Sequence, residues 1–404
     1  MRLIKNILSL GLVNTLAYLF PLLQAPMLIN RLGLAQYSVV VEGFAIVLLG
    51  YVVCNFAADL FGVEKISKNR EIKRICKFYI LSITTIRITL SFFYCFFAYL
   101  YLEMKSVDIT SNIDILKFFL LIVIAQSIYP LWVARGLELI RAISISSISV
   151  RALNLLLIFL FVQNQVDLWL IPIIYLFTST IATFWLFYSF PTTTKQPVII
   201  NIRRVRVLIS KVIPYFLARL AVGSYNALPV LILSNYTSAE LTSIYGVLDQ
   251  YYRAIKQIYL SISTAMFPYM AKVKDIKLYK KVLKWNSFLL FVVVVLALFT
   301  MPYFLSILFS EEIGNAVYVS YSFLFLFVVS VNSSILGYPL FTIFNKASIV
   351  NSTSFIGFYV FVFGSILLIF WDCVSVFTVM SLIIISELLV MFLRAVRGME
   401  YAKN

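Results

Sequence analysis

Long apolar runs separated by short polar gaps organise this chain from end to end. Twelve runs of about 20 residues, each poor in charge, lie near 8–30, 38–63, 78–102, 116–134, 142–163, 169–190, 212–234, 241–270, 285–309, 316–344, 349–371 and 374–396. A helix needs roughly 20 apolar residues to cross a hydrocarbon core of ~30 Å, so the pattern predicts twelve membrane-spanning helices. The gaps alternate in charge. The even-numbered gaps and the two tails hold 25 of the 33 Lys and Arg residues, whereas the odd gaps hold only Arg31, Lys105 and Lys117. Short loops rich in Lys and Arg resist translocation, which places both termini in the cytoplasm. An extra or missing span would scramble the alternation.

Composition agrees with the pattern. The chain is 62% hydrophobic and 12% charged, with a mean hydropathy of +0.98, outside the range of ordinary soluble domains. The net charge of +16 would suggest nucleic acid in a soluble protein; here it reads as a cytoplasmic rim facing anionic headgroups, with no nucleic-acid partner. Cys54 and Cys95 fall inside apolar runs, Cys76 in a cytoplasmic gap and Cys373 alone outside, so no structural disulfide is expected. The basic, apolar start runs past residue 20 into Pro21 and Pro26 without a small-residue cleavage site, and reads as a retained first helix.

Several chemistries are excluded. The chain has no His, so imidazole catalysis and His-ligated metal sites are absent. It has no G-x-x-x-x-G-K-[ST] run for ATP phosphates, and no other cofactor is implied. The longest outer gap, Glu103 to Ile115, is about 13 residues, and the cytoplasmic gaps 64–77, 191–211 and 271–284 are also too short for a folded aqueous domain. A membrane enzyme holding two substrates is therefore disfavoured. The run Lys277 to Lys284 reads as an amphipathic surface helix.

The longest basic gap, 191–211, carries Pro191, Pro197 and three consecutive Thr, and divides the runs six and six. Across it, Ala25-Pro26-Met27-Leu28-Ile29 is echoed by Leu228-Pro229-Val230-Leu231-Ile232, and each copy is followed by a short turn and a Tyr, Tyr37 or Tyr245. The expected fold is an all-α polytopic membrane protein. It has about 12 transmembrane helices in two six-helix lobes, 1–190 and 212–404, joined by a cytoplasmic linker 191–211. Because six spans separate equivalent helices, the lobes share one orientation and a pseudo-twofold axis along the membrane normal relates them. Pro21 and Pro26 in the first span, and Pro214 and Pro229 in the seventh, predict broken helices lining a cavity; tolerated lipid-facing kinks are the alternative.

Nine ionisable residues lie inside the runs: Glu42, Asp59, Arg87, Arg151, Arg219, Asp249, Arg253, Lys256 and Glu387. Each costs about 2.5–3.5 kcal/mol at mid-bilayer, so each must be paired or face water. Asp249, Arg253 and Lys256 follow an i, i+4, i+7 spacing that puts them on one helical face, flanked by Tyr245 and Tyr252. Arg253 is roughly 18 Å below the outer end of its span, and Asp249 is placed to pair with it. The seventh span carries a second stripe of Tyr215, Arg219, Gly223 and Asn226, and the first span a milder one of Asn14, Tyr18 and Pro21. Two readings are open: a water-filled, cation-lined cavity suited to a phosphate-bearing anion, because guanidinium groups bind phosphate oxygens in pairs, or buried structural ion pairs.

The segment from Tyr18 to Gly33, with Gln36-Tyr37 after it, resembles the opening of bacterial O-antigen flippases in the polysaccharide transporter branch of the multidrug/oligosaccharidyl-lipid/polysaccharide exporter superfamily. Members begin with a P-x-x-x-P-[YF]-L-x-R-x-L-G pattern, occupied approximately here by Pro21, Pro26, Leu28, Arg31, Leu32 and Gly33. Length, span number and the six-plus-six division match along the whole chain. The family's second span ends in a D-[YF]-G-F-N-L-like stretch, whereas this chain reads Asn55-Phe56-Ala57-Ala58-Asp59-Leu60, with acid and amide exchanged and the Gly replaced. No role of the family's Asp is therefore transferred.

The resemblance implies a flippase, not an enzyme, that moves an O-antigen or related repeat unit on undecaprenyl pyrophosphate between leaflets of the bacterial inner membrane by alternating access. Arg219, Arg253 and Lys256 would hold the pyrophosphate; Asn14, Tyr18, Tyr215, Tyr245 and Tyr252 would contact sugar; Glu42, Asp249 and Glu387 are candidates for coupling to an ion gradient. Its partners would be the lipid-linked oligosaccharide, membrane lipids, an O-antigen polymerase and a chain-length regulator. Two alternatives remain on the sequence alone. A major-facilitator-type transporter shares the span count, yet its Gly-bearing motif is missing from Glu64 to Arg70; an O-antigen polymerase needs a large outer loop.

Overall fold

The structure, a computed structural model, describes residues 2–69, 72–105, 112–190, 202–273, 275–309, 313–346 and 348–403, with backbone alone at 2–19, 73–74, 202, 218, 222, 258, 261–273, 313 and 402–403. The described residues form helices and no strand: α1 (Arg2–Asn55), α2 (Val63–Lys68), α3 (Lys73–Met104), α4 (Ile113–Ile128), α5 (Leu131–Gly136), α6 (Ile140–Phe161), α7 (Leu170–Tyr188), α8 (Ile202–Tyr236), α9 (Ala239–Val273), α10 (Ile276–Leu308), α11 (Ile313–Ile335), α12 (Tyr338–Ile343), α13 (Ser348–Phe370) and α14 (Val376–Lys403). The chain falls into two compact units, Met1–Leu231 and Ile232–Asn404. The all-α membrane fold expected from the apolar pattern is the fold observed.

Each of the twelve apolar runs has its helix. The first two share α1, which is interrupted at Gly33, where φ of +77° and ψ of 162° leave the helical region. A side chain is disfavoured at that φ, and glycine's freedom there lets the chain turn between two spans. Among the described residues nine helical segments are long and apolar enough to cross a membrane, or ten with the two arms of α8, which bend by 42° between Ala221 and Gly223. Counting α1 twice adds one more. The twelfth, α9, is outside that set over its described residues, where Asp249, Arg253 and Lys256 interrupt the apolar stretch.

The three cations that broke the charge alternation all have local work. The Arg31 Nη1 donates to the carbonyls of Phe159 (2.8 Å) and Val162 (2.7 Å), which end α6 without helical partners. Lys105 donates to Glu42 Oε1 at 2.6 Å. Lys117 bridges Glu103 at 2.9 Å and Asp114 at 2.8 Å. Lys105 and Lys117 are thus neutralised by carboxylates and add little to the free basic charge of their gap.

The helix breaks fall only partly where the prolines predict. Pro21 and Pro26 stay inside α1 without interrupting it, whereas α8, which carries Pro214 and Pro229, bends by 42° between Ala221 and Gly223, between its two prolines. The fourth and tenth spans also break, each ending in a six-residue helix, α5 or α12. Tyr338 follows Leu131 by 207 positions, and the residues in left-handed conformation that close the two short helices, Glu138 and Asn345 (φ 57° each), are also 207 apart. Both breaks orphan a carbonyl, and in both an arginine from another span takes it. Pro130 has no N–H for the Gln126 carbonyl four residues back, and Arg87 Nη2 donates there at 2.9 Å while its Nη1 reaches Tyr129 O at 3.2 Å. In the second unit the Gly337 N–H turns to Ser334 O, and the abandoned Ser333 carbonyl accepts from Arg394 Nη1 at 2.8 Å. A Cβ at Gly337 would lie 3.4 Å from that Nη1. Arg394 also donates to Thr353 Oγ1 (3.0 Å) and Ser354 Oγ (2.9 Å), so one buried guanidinium ties α11, α13 and α14 together.

Candidate functional site

The polar stripe of α9 lies in the second unit, and its members are linked by direct contacts. Asp249 and Arg253, one helical turn apart, form an ion pair. Lys256 finds a partner that helical spacing alone did not supply: its Nζ donates to the Tyr252 hydroxyl at 2.9 Å, and that hydroxyl is 2.8 Å from Ser330 Oγ on α11. The ammonium meets the ring at its hydroxyl end, 5.2 Å from the centroid, so the contact is a hydrogen bond and not a cation held over the ring face. Two of the three Lys256 donors are left to face other groups.

Above this network α9 is closed against α11. Tyr245 is 2% exposed, with its ring centroid 5.2 Å from that of Phe323, and Tyr252 packs on the same ring at 5.6 Å. In this conformation Tyr245 presents no surface to a sugar. Glu387 on α14 lies within electrostatic reach of Lys256 and Tyr252 without closing an ion pair to Lys256 among the described residues. Asp249, by contrast, is committed to Arg253.

In the first unit, Arg219 Nη2 meets Asp59 Oδ2 at 3.0 Å, with 43% of the Arg219 side chain and 19% of the Asp59 side chain exposed. The other carboxylate oxygen of Asp59 is buried without a partner. Tyr215, one turn before Arg219, is 44% exposed, and its ring is 6.0 Å from Phe61. The sequence did not pair Arg219 with Asp59, because the two are on different helices and 160 positions apart.

Asp59 sits in a π-type turn, Ala58–Gly62, entered through Phe56 (φ 45°) and Ala57 (φ 52°). Ala57 occupies the place of the glycine in the family's second-span pattern. A left-handed conformation there gives that glycine a physical reason, and Ala57 adopts it at a cost. Glu42 is bound to Lys105 near the start of the second span, with both side chains buried. Asn14 and Tyr18 lie on the backbone of α1 at positions whose side chains fall outside the described residues. No group of three or more His, Cys, Asp or Glu placed to hold a metal is found among the described residues.

The fold has solved counterparts. Lipid II flippase MurJ in an inward closed conformation superposes with a TM-score of 0.70 over 96% of this chain and 86% of that one, at 13% identity. A multidrug resistance MATE family transporter of the MOP superfamily, in an inward-facing conformation, gives 0.65 over 95% and 98%, at 12% identity. In sequence, the chain is 23% identical over 281 residues to a Shigella dysenteriae protein named "Putative O-antigen transporter", covering 67% of this chain and 68% of that one. The model of a family described as polysaccharide biosynthesis protein matches residues 3–274, a stretch that includes Asp59, Arg219, Asp249, Arg253 and Lys256. The resemblance read from the first two spans is thereby borne out and the major-facilitator alternative displaced: this multi-pass membrane chain belongs to the polysaccharide biosynthesis protein family.

Proposed function

We propose that the protein is a flippase for undecaprenyl-pyrophosphate-linked O-antigen or related polysaccharide repeat units. It would carry them from the inner to the outer leaflet of the bacterial cytoplasmic membrane, with both termini on the cytoplasmic side. The observation that carries this reading is the placing of Arg219, Arg253 and Lys256 on membrane-spanning helices of a polysaccharide biosynthesis family member. Cations placed within a span are costly unless a function uses them. Their charge suits a pyrophosphate, and Tyr215, 44% exposed, would offer ring and hydroxyl to a sugar. The division into lobes 1–190 and 212–404 would let one lobe rock against the other. Of the three carboxylates considered for ion coupling, Glu387 is the strongest, since Glu42 and Asp249 already hold Lys105 and Arg253.

The test is cellular. Cells lacking the protein should accumulate single lipid-linked repeat units in the inner leaflet and lose polymerised surface polysaccharide, and an oligosaccharide-lipid extract should show the unpolymerised species. Single units reaching the outer leaflet at the normal rate, with polymerisation alone lost, would assign the chain to polymerisation instead.

A further inference from the structure

Only part of α10 is needed to cross a membrane. Its 33 residues run for about 50 Å, against ~30 Å of hydrocarbon. Phe288 to Leu308 carry no charge and are long enough for the crossing, so the excess is the N-terminal stretch from Ile276 to Ser287. The lysine run in that stretch, expected as a separate surface helix, is the continuous beginning of the span. Lys277, Lys280, Lys281 and Lys284 are exposed, as are Phe288 and Phe291. At ~100° per residue all six fall within an arc of about 100°. No Asp or Glu occurs in α10, and none of the four lysines makes an ion pair among the described residues. The opposite side is occupied by protein: Tyr279, Asn286 and Leu290 are buried, and the Tyr279 hydroxyl donates to Ile335 O at 3.1 Å. Trp285, exposed beside the arc, packs edge-on against Phe288 at 6.3 Å. This aromatic pair sits where lysines give way to apolar residues, as aromatic side chains do at a membrane–water boundary.

One face thus carries a basic end and an apolar continuation, the same order of chemistry as a lipid. Acyl chains laid on Phe288 and Phe291 bring a phosphate to the lysines farther along the same face. Four ammonium groups without acidic partners select by charge, favouring a headgroup with net negative charge over a zwitterionic one. We propose that the N-terminal turns of α10 are a docking site for an anionic phospholipid, with its phosphate among Lys277, Lys280, Lys281 and Lys284. In the proposed orientation this lipid belongs to the cytoplasmic leaflet. The site has a mechanical consequence. Ile335 ends α11 just before Gly337, where the tenth span breaks, so a lipid fixing one side of α10 steadies that break through Tyr279 on the other.

The experiment uses the full-length protein in two kinds of nanodisc, phosphatidylcholine alone and phosphatidylcholine mixed with phosphatidylglycerol. Wild-type protein should melt several degrees higher with phosphatidylglycerol, because a ligand of the folded state stabilises it. Lys277→Gln, Lys280→Gln, Lys281→Gln and Lys284→Gln combined should leave the melting temperature in phosphatidylcholine unchanged and remove most of that gain. The same variant should retain fluorescent phosphatidylglycerol about tenfold less, since each basic residue at an anionic surface is worth roughly fivefold. An equal loss of charge on α8, through Arg203→Gln, Arg204→Gln, Arg206→Gln and Lys211→Gln, should keep the gain. A gain lost equally in both variants would be the work of diffuse surface charge and overturns the site, as does a lysine variant that keeps it. A lysine variant that already melts lower in phosphatidylcholine assigns these residues to folding and overturns it too. Glycerol phosphate added to phosphatidylcholine discs should not reproduce the shift; if it does, the occupant is a soluble phosphate and the lipid assignment falls. The cargo takes no part in these measurements, so each of these failures leaves the flippase reading standing.

Discussion

Glu42 and Lys105 form an ion pair of 2.6 Å with side chains 2% and 3% exposed, linking the start of the second span to the end of the third. A pair this well buried is expensive to open from one side. Removing either partner strands the other charge in low dielectric at about 3–5 kcal/mol, whereas replacing both with apolar groups of similar size is often neutral. Glu42→Gln and Lys105→Met should therefore each lower the melting temperature of the purified protein, and Glu42→Leu with Lys105→Met together should restore most of the loss. If the double variant also exports polysaccharide normally, Glu42 has no part in ion coupling; a stable double variant that no longer transports would give it one.

Arg87 and Pro130 should be energetically coupled, because the guanidinium donates to the carbonyl that the proline leaves without an N–H. Arg87→Met in the wild-type background should cost about 2 kcal/mol or more, as a buried acceptor loses its donor. In a Pro130→Ala background the helix can supply that hydrogen bond itself, and the same substitution should cost measurably less. Thermal unfolding of the four proteins of the cycle measures the difference; additive losses would show that Arg87 stabilises the break by other contacts.

How much of this was legible in the sequence follows from which interactions are local. Apolar runs and alternating basic gaps are properties of single segments, so spans, helical class and family were readable, and Asp249 with Arg253 was readable because a helix sets their spacing. The pairs Glu42–Lys105 and Arg219–Asp59 join residues far apart in sequence, and nothing in either segment names its partner. The breaks of the fourth and tenth spans escaped the sequence for a different reason. A proline inside a span costs one hydrogen bond, and whether the helix opens depends on whether another group takes the orphaned carbonyl. Arg87 does this at Pro130, and Arg394, which the sequence placed with the basic tail, does the same for the break at Gly337.

Ala57 has φ of 52° and is fully buried. Glycine adopts that conformation without a Cβ clash, at a saving of roughly 1 kcal/mol, partly offset by the greater freedom it gives the unfolded chain. Ala57→Gly should leave stability unchanged or raise it slightly, while Ala57→Val, β-branched in a left-handed turn, should lower the melting temperature by several degrees. A stabilising Val would mean that the π-type turn at Asp59 is not held in this conformation in the membrane.

The α9 stripe separates a binding role from a structural one, because its two cations have different partners. Lys256 donates to a neutral hydroxyl that keeps Ser330 as an alternative, so Lys256→Gln breaks no direct ion pair among the described residues, and abundance should stay near normal while surface polysaccharide is lost. Arg253 is paired with Asp249, so Arg253→Gln should lower abundance as well, by leaving a partly buried carboxylate alone. Combining it with Asp249→Asn removes both charges and should restore abundance. What the double variant then does decides Arg253's role. If the guanidinium holds pyrophosphate, the protein will be abundant on immunoblots and still unable to export repeat units. Recovery of surface polysaccharide in the double variant would mean that Arg253 only neutralises Asp249, and that Lys256 alone on this helix supplies charge to the cargo.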